Sequence, residues 1–134
     1  KSTFVSSVGP YVDRFEAMIR DTTGSKYAIA TVNGTSALHV ALHSLGLGIG
    51  DAVITQALSF VATANAVMYT GANPIFLDVD LDSMSLSPVA LERFLIDECE
   101  RKEGKTVHRS SGFQVKAVVP MHTYGNPGRV EELQ

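Results

Sequence analysis

One cysteine, Cys99, stands in 134 residues. No disulfide framework can form within the chain, and a reducing compartment is expected. Positive charge is also scarce. Eleven lysines and arginines against 14 acids leave a formal net charge of −3, which gives no support to nucleic-acid binding. The charges that do cluster, around residues 92–109, read as a solvated helix and turn. No apolar run approaches the roughly 18 residues of a membrane span. Lys1-Ser-Thr-Phe-Val5 lacks the apolar region of a signal peptide. A cytoplasmic protein with no membrane and no nucleic-acid partner is therefore expected. In that setting the glycosylation pattern Asn33-Gly34-Thr35 is a chance match. There is no internal repeat and no low-complexity tract.

What is present is ordered. Apolar residues make up 45% of the chain and charged residues 19%, an ordinary globular balance. A chain of this length is enough for one domain and should bury roughly two-thirds of its unfolded surface. Helical and strand patterns alternate. Val12, Phe15, Met18 and Ile19 have helical spacing over Pro10–Asp21, with Gly24 as a stop. Lys26–Val32 reads as a strand, Ser36–Leu45 as a helix, Ala52–Gln56 as a strand and Phe60–Tyr69 as a helix. Pro74–Val79 reads as a third strand. Ser87-Pro88 is a hydroxyl N-cap followed by proline, and the helix it starts is expected to run to about Arg101. Gly104–Gln114 has the length for a small hairpin, turning at Ser110-Ser-Gly112. Val115–Pro120 is a fourth apolar strand, and Pro127–Gln134 reads as the first turn of another helix.

Strands apolar on both faces and separated by helices predict an α/β fold, with a mostly parallel sheet and helices on both faces. Ligands of such sheets bind at the carboxyl edge of the strands. The turns expected there are Asn33–Ser36, Ala57–Phe60, Asp78–Leu81 and Met121–Gly125. In the first, Thr35 and Ser36 follow Gly34 at a helix start, which offers backbone N–H groups and the positive helix end to an anion. The plain alternative is a helix cap that binds only water.

Other phosphate signatures fail. Gly104-Lys105-Thr106 resembles the end of a P-loop, but Cys99 stands where its first glycine belongs. Gly46, Gly48 and Gly50 follow a helix instead of opening one. His39 and His43 have metal-binding spacing without further ligands, so no metal is expected. Phe60 is either core or a flat surface for a planar ligand. Asp78, Asp80 and Asp82 alternate as strand residues would, and a turn rich in helix-starting acids is the simpler reading. His122 and Tyr124 fall at the ligand edge, where histidine suits proton transfer or simple hydrogen bonding. Cys99 sits among acids that raise its pKa, which argues against a nucleophile.

Five blocks occur in a recognisable order: Ser6–Glu16, Asn33–Leu42, Ser59–Val67, Pro74–Asp80 and Pro120–Gly125. Together they resemble the DegT/DnrJ/EryC1/StrS family of sugar-nucleotide aminotransferases, over nearly the whole chain. The likeness is strongest to LegC-type members, in which a segment like Glu98–Gly104 precedes a hairpin. The resemblance implies part of the large domain of the fold-type I pyridoxal-phosphate (PLP) enzymes. It implies amino transfer, with glutamate as donor, to a nucleotide-linked keto sugar of the UDP-4-keto-6-deoxy-N-acetylhexosamine type. The resemblance places this step on a route to bacterial surface sugars such as legionaminic acid. By the same resemblance Gly34, Thr35 and Ser36 hold the cofactor phosphate and Phe60 stacks on its ring. Thr63 lies beside the cofactor, and Ser6, Ser7 and His122 face the sugar nucleotide. A homodimer is implied.

The family's Schiff-base lysine and the aspartate that pairs with the pyridine nitrogen lie past the Pro120–Gly125 block, so both are expected beyond Gln134. None of Lys1, Lys26, Lys102, Lys105 and Lys116 has a matching context. Residues 1–134 are thus expected to be an amino-terminal portion of the PLP-binding domain, incomplete at both ends and inactive alone. Two rivals stand beside this reading: a PLP-fold protein working without the lysine, as a dehydratase or regulator, and a non-enzymatic module for a phosphate or sugar nucleotide.

Overall fold

A computed structural model describes residues 9–134. Helix α1 spans Pro10–Thr23 and α2 spans Gly34–Ser44. Strand β1 (Asp51–Gln56), helix α3 (Val61–Tyr69), strand β2 (Asn73–Leu77) and helix α4 (Pro88–Asp97) follow. Strands β3 (Cys99–Lys102), β4 (Lys105–His108) and β5 (Gln114–Val119) precede two 3-10 turns, Thr123–Gly125 and Val130–Leu133. The strands form one sheet in the order β2-β1-β5-β4-β3. Its centre, β2-β1-β5, is parallel, and the β3–β4 hairpin adds an antiparallel edge.

Neighbouring strand residues point to opposite faces, so Val53 and Ile54 found separate cores. Val53 packs with Leu42 of α2, Ala66 and Val67 of α3, and the flanking Leu47 and Ala72. Ile54 packs with Leu86 and Leu91, and Ile75, Leu77 and Phe94 close around them. Helices therefore cover both faces, as the sequence predicts. In β5 the register slips by one residue between the partners of Ala52 and Val53. This bulge lets Val115 join the Ile54 core while Ala117 joins the Val53 core. The extra residue is Lys116. Its Nζ donates to the Gly46 carbonyl (2.7 Å) and meets Asp51 Oδ2 (3.2 Å), tying the loop before β1 to β5.

The structure corrects four sequence expectations. Residues 26–32 form no strand, and the sheet has three parallel strands instead of four. A strand needs a neighbouring edge as well as β-prone residues. Here Tyr27, Ile29 and Val32 stand 72%, 75% and 88% exposed, held to α1 by the Ala30 N–H on Glu16 Oε1 (2.8 Å). Helix α4 stops at Asp97, well short of Arg101. Glu103 and Gly104 both have positive φ (51° and 79°), the geometry of a two-residue hairpin turn. That turn draws 99–102 into a strand, and Arg109 closes the helix end by donating to the Asp97 carbonyl. The turn expected at Ser110–Gly112 exists, but it joins β4 to β5. Last, residues 130–133 make a single 3-10 turn in place of an α-helix.

Cys99 lies in β3, 3% exposed. Burial pushes its thiol pKa up; Arg109 pulls it the other way and Glu98 adds to the rise. Reaction requires the thiolate. Iodoacetamide is expected to leave Cys99 unmodified in the native protein at neutral pH and to label it fully in denaturant, read by intact mass. Rapid native labelling would contradict its placement.

Candidate active site

The carboxyl edge of β1 and β5 opens on a cleft of about 320 Å³, lined by Leu58, Ser59, Phe60, Met121, Thr123 and Tyr124. Phe60 is the N-cap of α3, in extended conformation and with no side-chain cap bond. Its ring is left to the cleft, and the residue is 73% exposed. Phe60 is therefore not part of either described core. Thr63, one turn on, is buried, and its Oγ1 accepts from Ser59 Oγ (3.0 Å).

Helix α2 begins at Gly34, two residues before the start expected at Ser36. Asn33 is the N-cap, and its Oδ1 accepts from the Ser36 N–H (2.8 Å). The Ala37 N–H makes the first turn's backbone bond, to the Asn33 carbonyl. The amides of Gly34 and Thr35 precede any intrahelical acceptor. Gly34 is exposed, Thr35 and Ser36 are half-buried, and no acid stands in this first turn. An anion would meet two N–H groups, two hydroxyls and the positive helix end, with no carboxylate competing.

His122 is exposed, and its Nδ1 accepts from the Gly128 N–H (2.9 Å). With Nδ1 accepting, the neutral ring carries its proton on Nε2 and can donate there. Gly128 is fixed by contact: a Cβ there would lie 2.2 Å from Ser85 Oγ. Asp78, Asp80 and Asp82 follow the end of β2 and share no strand face. Asp80 and Asp82 both meet Arg129 (3.6 and 2.5 Å). The guanidinium holds the Asp82 carboxyl below the usual carboxylate range, and its own pKa rises in return. No group of three or more His, Cys, Asp or Glu residues forms a metal cage among the described residues. His39 instead meets the edge of Tyr69, at 5.7 Å between centroids. Ser6 and Ser7 lie outside the described residues. None of Lys26, Lys102, Lys105 and Lys116 lines the cleft.

The residue that sequence reasoning missed is Gln56. It is fully buried at the last position of β1. Its side chain bonds the Leu58, Met84, Leu86, Met121 and Thr123 segments together. The available signal was a glutamine closing a strand whose centre, Ala52–Ile54, is apolar, immediately before a turn.

Fold and site define an α/β domain with an aromatic-walled cleft at its sheet edge and an anion-ready helix start on a neighbouring helix. The model of the DegT/DnrJ/EryC1/StrS aminotransferase family matches residues 1–134, and the chain belongs to that family. It is 38% identical over 124 residues to the GDP-perosamine synthase of Caulobacter vibrioides, covering 92% of this chain and 29% of that protein. It is 38% identical over 119 residues to the spore coat polysaccharide biosynthesis protein SpsC of Bacillus subtilis, covering 89% and 26%. Among solved structures, NtdA of Bacillus subtilis with bound cofactor PMP superposes with a TM-score of 0.75 at 30% identity, covering 94% and 25%. The chain spans about a third of the length of the curated relatives it matches. No helix among the described residues is long and apolar enough to cross a membrane.

Proposed function

We propose that residues 1–134 are the amino-terminal part of the PLP-binding domain of a sugar-nucleotide aminotransferase. The enzyme moves an amino group from glutamate to a nucleotide-linked keto sugar. The LegC-like segment Glu98–Gly104 favours a UDP-4-keto-6-deoxy-N-acetylhexosamine type of substrate, on a cytoplasmic route to bacterial surface sugars such as legionaminic acid, with a homodimer as the working form. The observation that carries the reading is the first turn of α2. It presents amides at Gly34 and Thr35 that have no intrahelical acceptor, beside the Thr35 and Ser36 hydroxyls and with no acid in that turn, as suits a phosphate monoester. The names of its relatives, a nucleotide-sugar synthase and a polysaccharide protein, point the same way.

The residues present fit the cofactor's phosphate and ring. When bound, PLP supplies the carbonyl group that accepts and releases the amine. Gly34, Thr35 and Ser36 hold the phosphate and fix the cofactor's reach. Phe60 covers one face of the ring, keeps water off it and orients it by contact. Thr63 holds Ser59 against Phe60, so the ring's backbone anchor stays put. The Nε2–H of His122 is placed to donate to a sugar oxygen, and Ser6 and Ser7 are assigned to the same substrate. The lysine amine that moves the protons lies beyond Gln134. Lys116 cannot serve, since Gly46 and Asp51 hold it.

The test uses the full-length gene product. Purified with PLP, it should lose the aldehyde-form absorbance on addition of glutamate and regain it with a UDP-linked 4-keto sugar. An enzyme that does not take up PLP overturns the proposal. Residues 1–134 alone, treated with PLP and borohydride, should give no lysine adduct by mass spectrometry. A specific adduct would overturn the placement of the lysine.

A further inference from the structure

Gln56 is bonded to the limit of its chemistry. Oε1 accepts from the Leu86 and Met121 amides, both at 2.9 Å. Nε2 donates to the Leu58 carbonyl (2.9 Å), the Met84 carbonyl (3.0 Å) and Thr123 Oγ1 (3.0 Å). A primary amide has two lone pairs and two hydrogens to offer. Both lone pairs are used, and two hydrogens serve three acceptors. Thr123 Oγ1 passes its own hydrogen to the Met84 carbonyl at 2.6 Å.

These partners belong to three loops. Leu58 leads into Phe60. Met121 and Thr123 flank His122 and lead into Tyr124. Met84 and Leu86 lie on the segment joining β2 to α4. One buried amide thus sets the spacing of both walls of the cleft. It also sits beside two strained residues, since Met84 and Tyr124 are non-glycine residues with φ near +54° and +53°. Such conformations persist where their surroundings over-determine them, and they gather at functional sites. The Met84 carbonyl is held by two donors. Tyr124 follows Thr123 directly, and the residue is 96% exposed, so packing among the described residues does not account for the strain.

We infer that Gln56 is a positioning residue for ligand binding: by clamping the Leu58, Met84 and Thr123 segments it presents the Tyr124 and Phe60 rings to one planar ligand. This rests on the functional reading above, with the pyridine ring of PLP or its amine form, PMP, as that ligand. Tyr124 is the second aromatic contact and Gln56 acts through it.

The test measures PMP affinity by fluorescence and thermal stability in the full-length enzyme and in Gln56→Leu, Gln56→Glu and Tyr124→Gly. Gln56→Leu should bind about tenfold more weakly at every pH. Gln56→Glu keeps the acceptor for Leu86 and Met121. Ionised, it turns its other oxygen on the Leu58 and Met84 carbonyls; protonated, it recovers one donor. Its affinity relative to wild type should therefore fall by about tenfold between about pH 6 and about pH 8.5. Amide exchange without ligand should show Leu86 and Met121 protected in Gln56→Glu and unprotected in Gln56→Leu. Tyr124→Gly carries the sharpest signature, because relief of strain should leave it at least as stable as wild type while PMP affinity drops several-fold. Wild-type affinity in Tyr124→Gly, or a pH-invariant ratio in a folded Gln56→Glu, overturns the inference alone. A wild-type enzyme that binds neither PLP nor PMP overturns the functional reading and this inference with it.

Discussion

Ile54→Ala is expected to cost about 3 to 4 kcal/mol of stability, near the upper part of the range for truncating a buried isoleucine. Ile54 is fully buried and sits at the centre of the core beneath α4, against Leu86 and Leu91. Its strand neighbours are Ile75 of β2 and Val118 of β5, so backbone ladders run on both sides of the void. Those ladders limit collapse, and limited collapse raises the cost. Val53→Ala, on the opposite face, should cost less, because fewer carbons are removed. Urea denaturation of the full-length protein measures both. The midpoint should drop with the slope unchanged, since a core truncation alters stability more than the surface exposed on unfolding. A change under about 1 kcal/mol for Ile54→Ala would mean that the two faces are not separate packed cores.

What the sequence makes legible here is what neighbouring residues decide. Ser87-Pro88 starts α4 as expected, with Ser87 Oγ accepting from the Ala90 N–H, and Gly24 stops α1 with φ 70°. Each is a contest between a few consecutive residues, and the sequence displays all contestants. The strand expected at 26–32 fails for the opposite reason. Its pattern is right, but pairing depends on an edge supplied from elsewhere, and no described strand supplies it. The overlong α4 is a mixed case. Cys99 extends the helical spacing of Leu91 and Leu95 one step past Asp97, while the deciding residues, Glu103 and Gly104, bend the chain several positions later. The role of Gln56 was not legible from its place at the end of a strand alone, because its partners Met84, Met121 and Thr123 lie 28, 65 and 67 positions away. Phe60 was legible as a candidate from its place at a strand-to-helix turn, though only the exposed ring separates a ligand surface from a core side chain.

Ser36→Glu in the full-length enzyme should separate fold from function by moving them in opposite directions. Position 36 is the third residue of α2, where a carboxylate stabilises a helix through its dipole and can fold back on the capping residue. Stability should rise by roughly 0.3 to 1 kcal/mol at low ionic strength. The same carboxylate would stand beside the first-turn amides and repel an incoming phosphate. Two unit charges about 4 Å apart near a protein surface interact by about 4 kcal/mol before screening. Exposure at this helix end reduces that figure, and a loss of PMP affinity on the order of 100-fold is the expected result. The loss should shrink as salt is raised, because the repulsion is screened over about 10 Å at 0.1 M. Ser36→Gln, uncharged and of similar size, should lose far less, which distinguishes charge from bulk. An unchanged PMP affinity in Ser36→Glu, with the melting temperature raised, would show that α2 begins with a well-made cap and that the phosphate is held elsewhere.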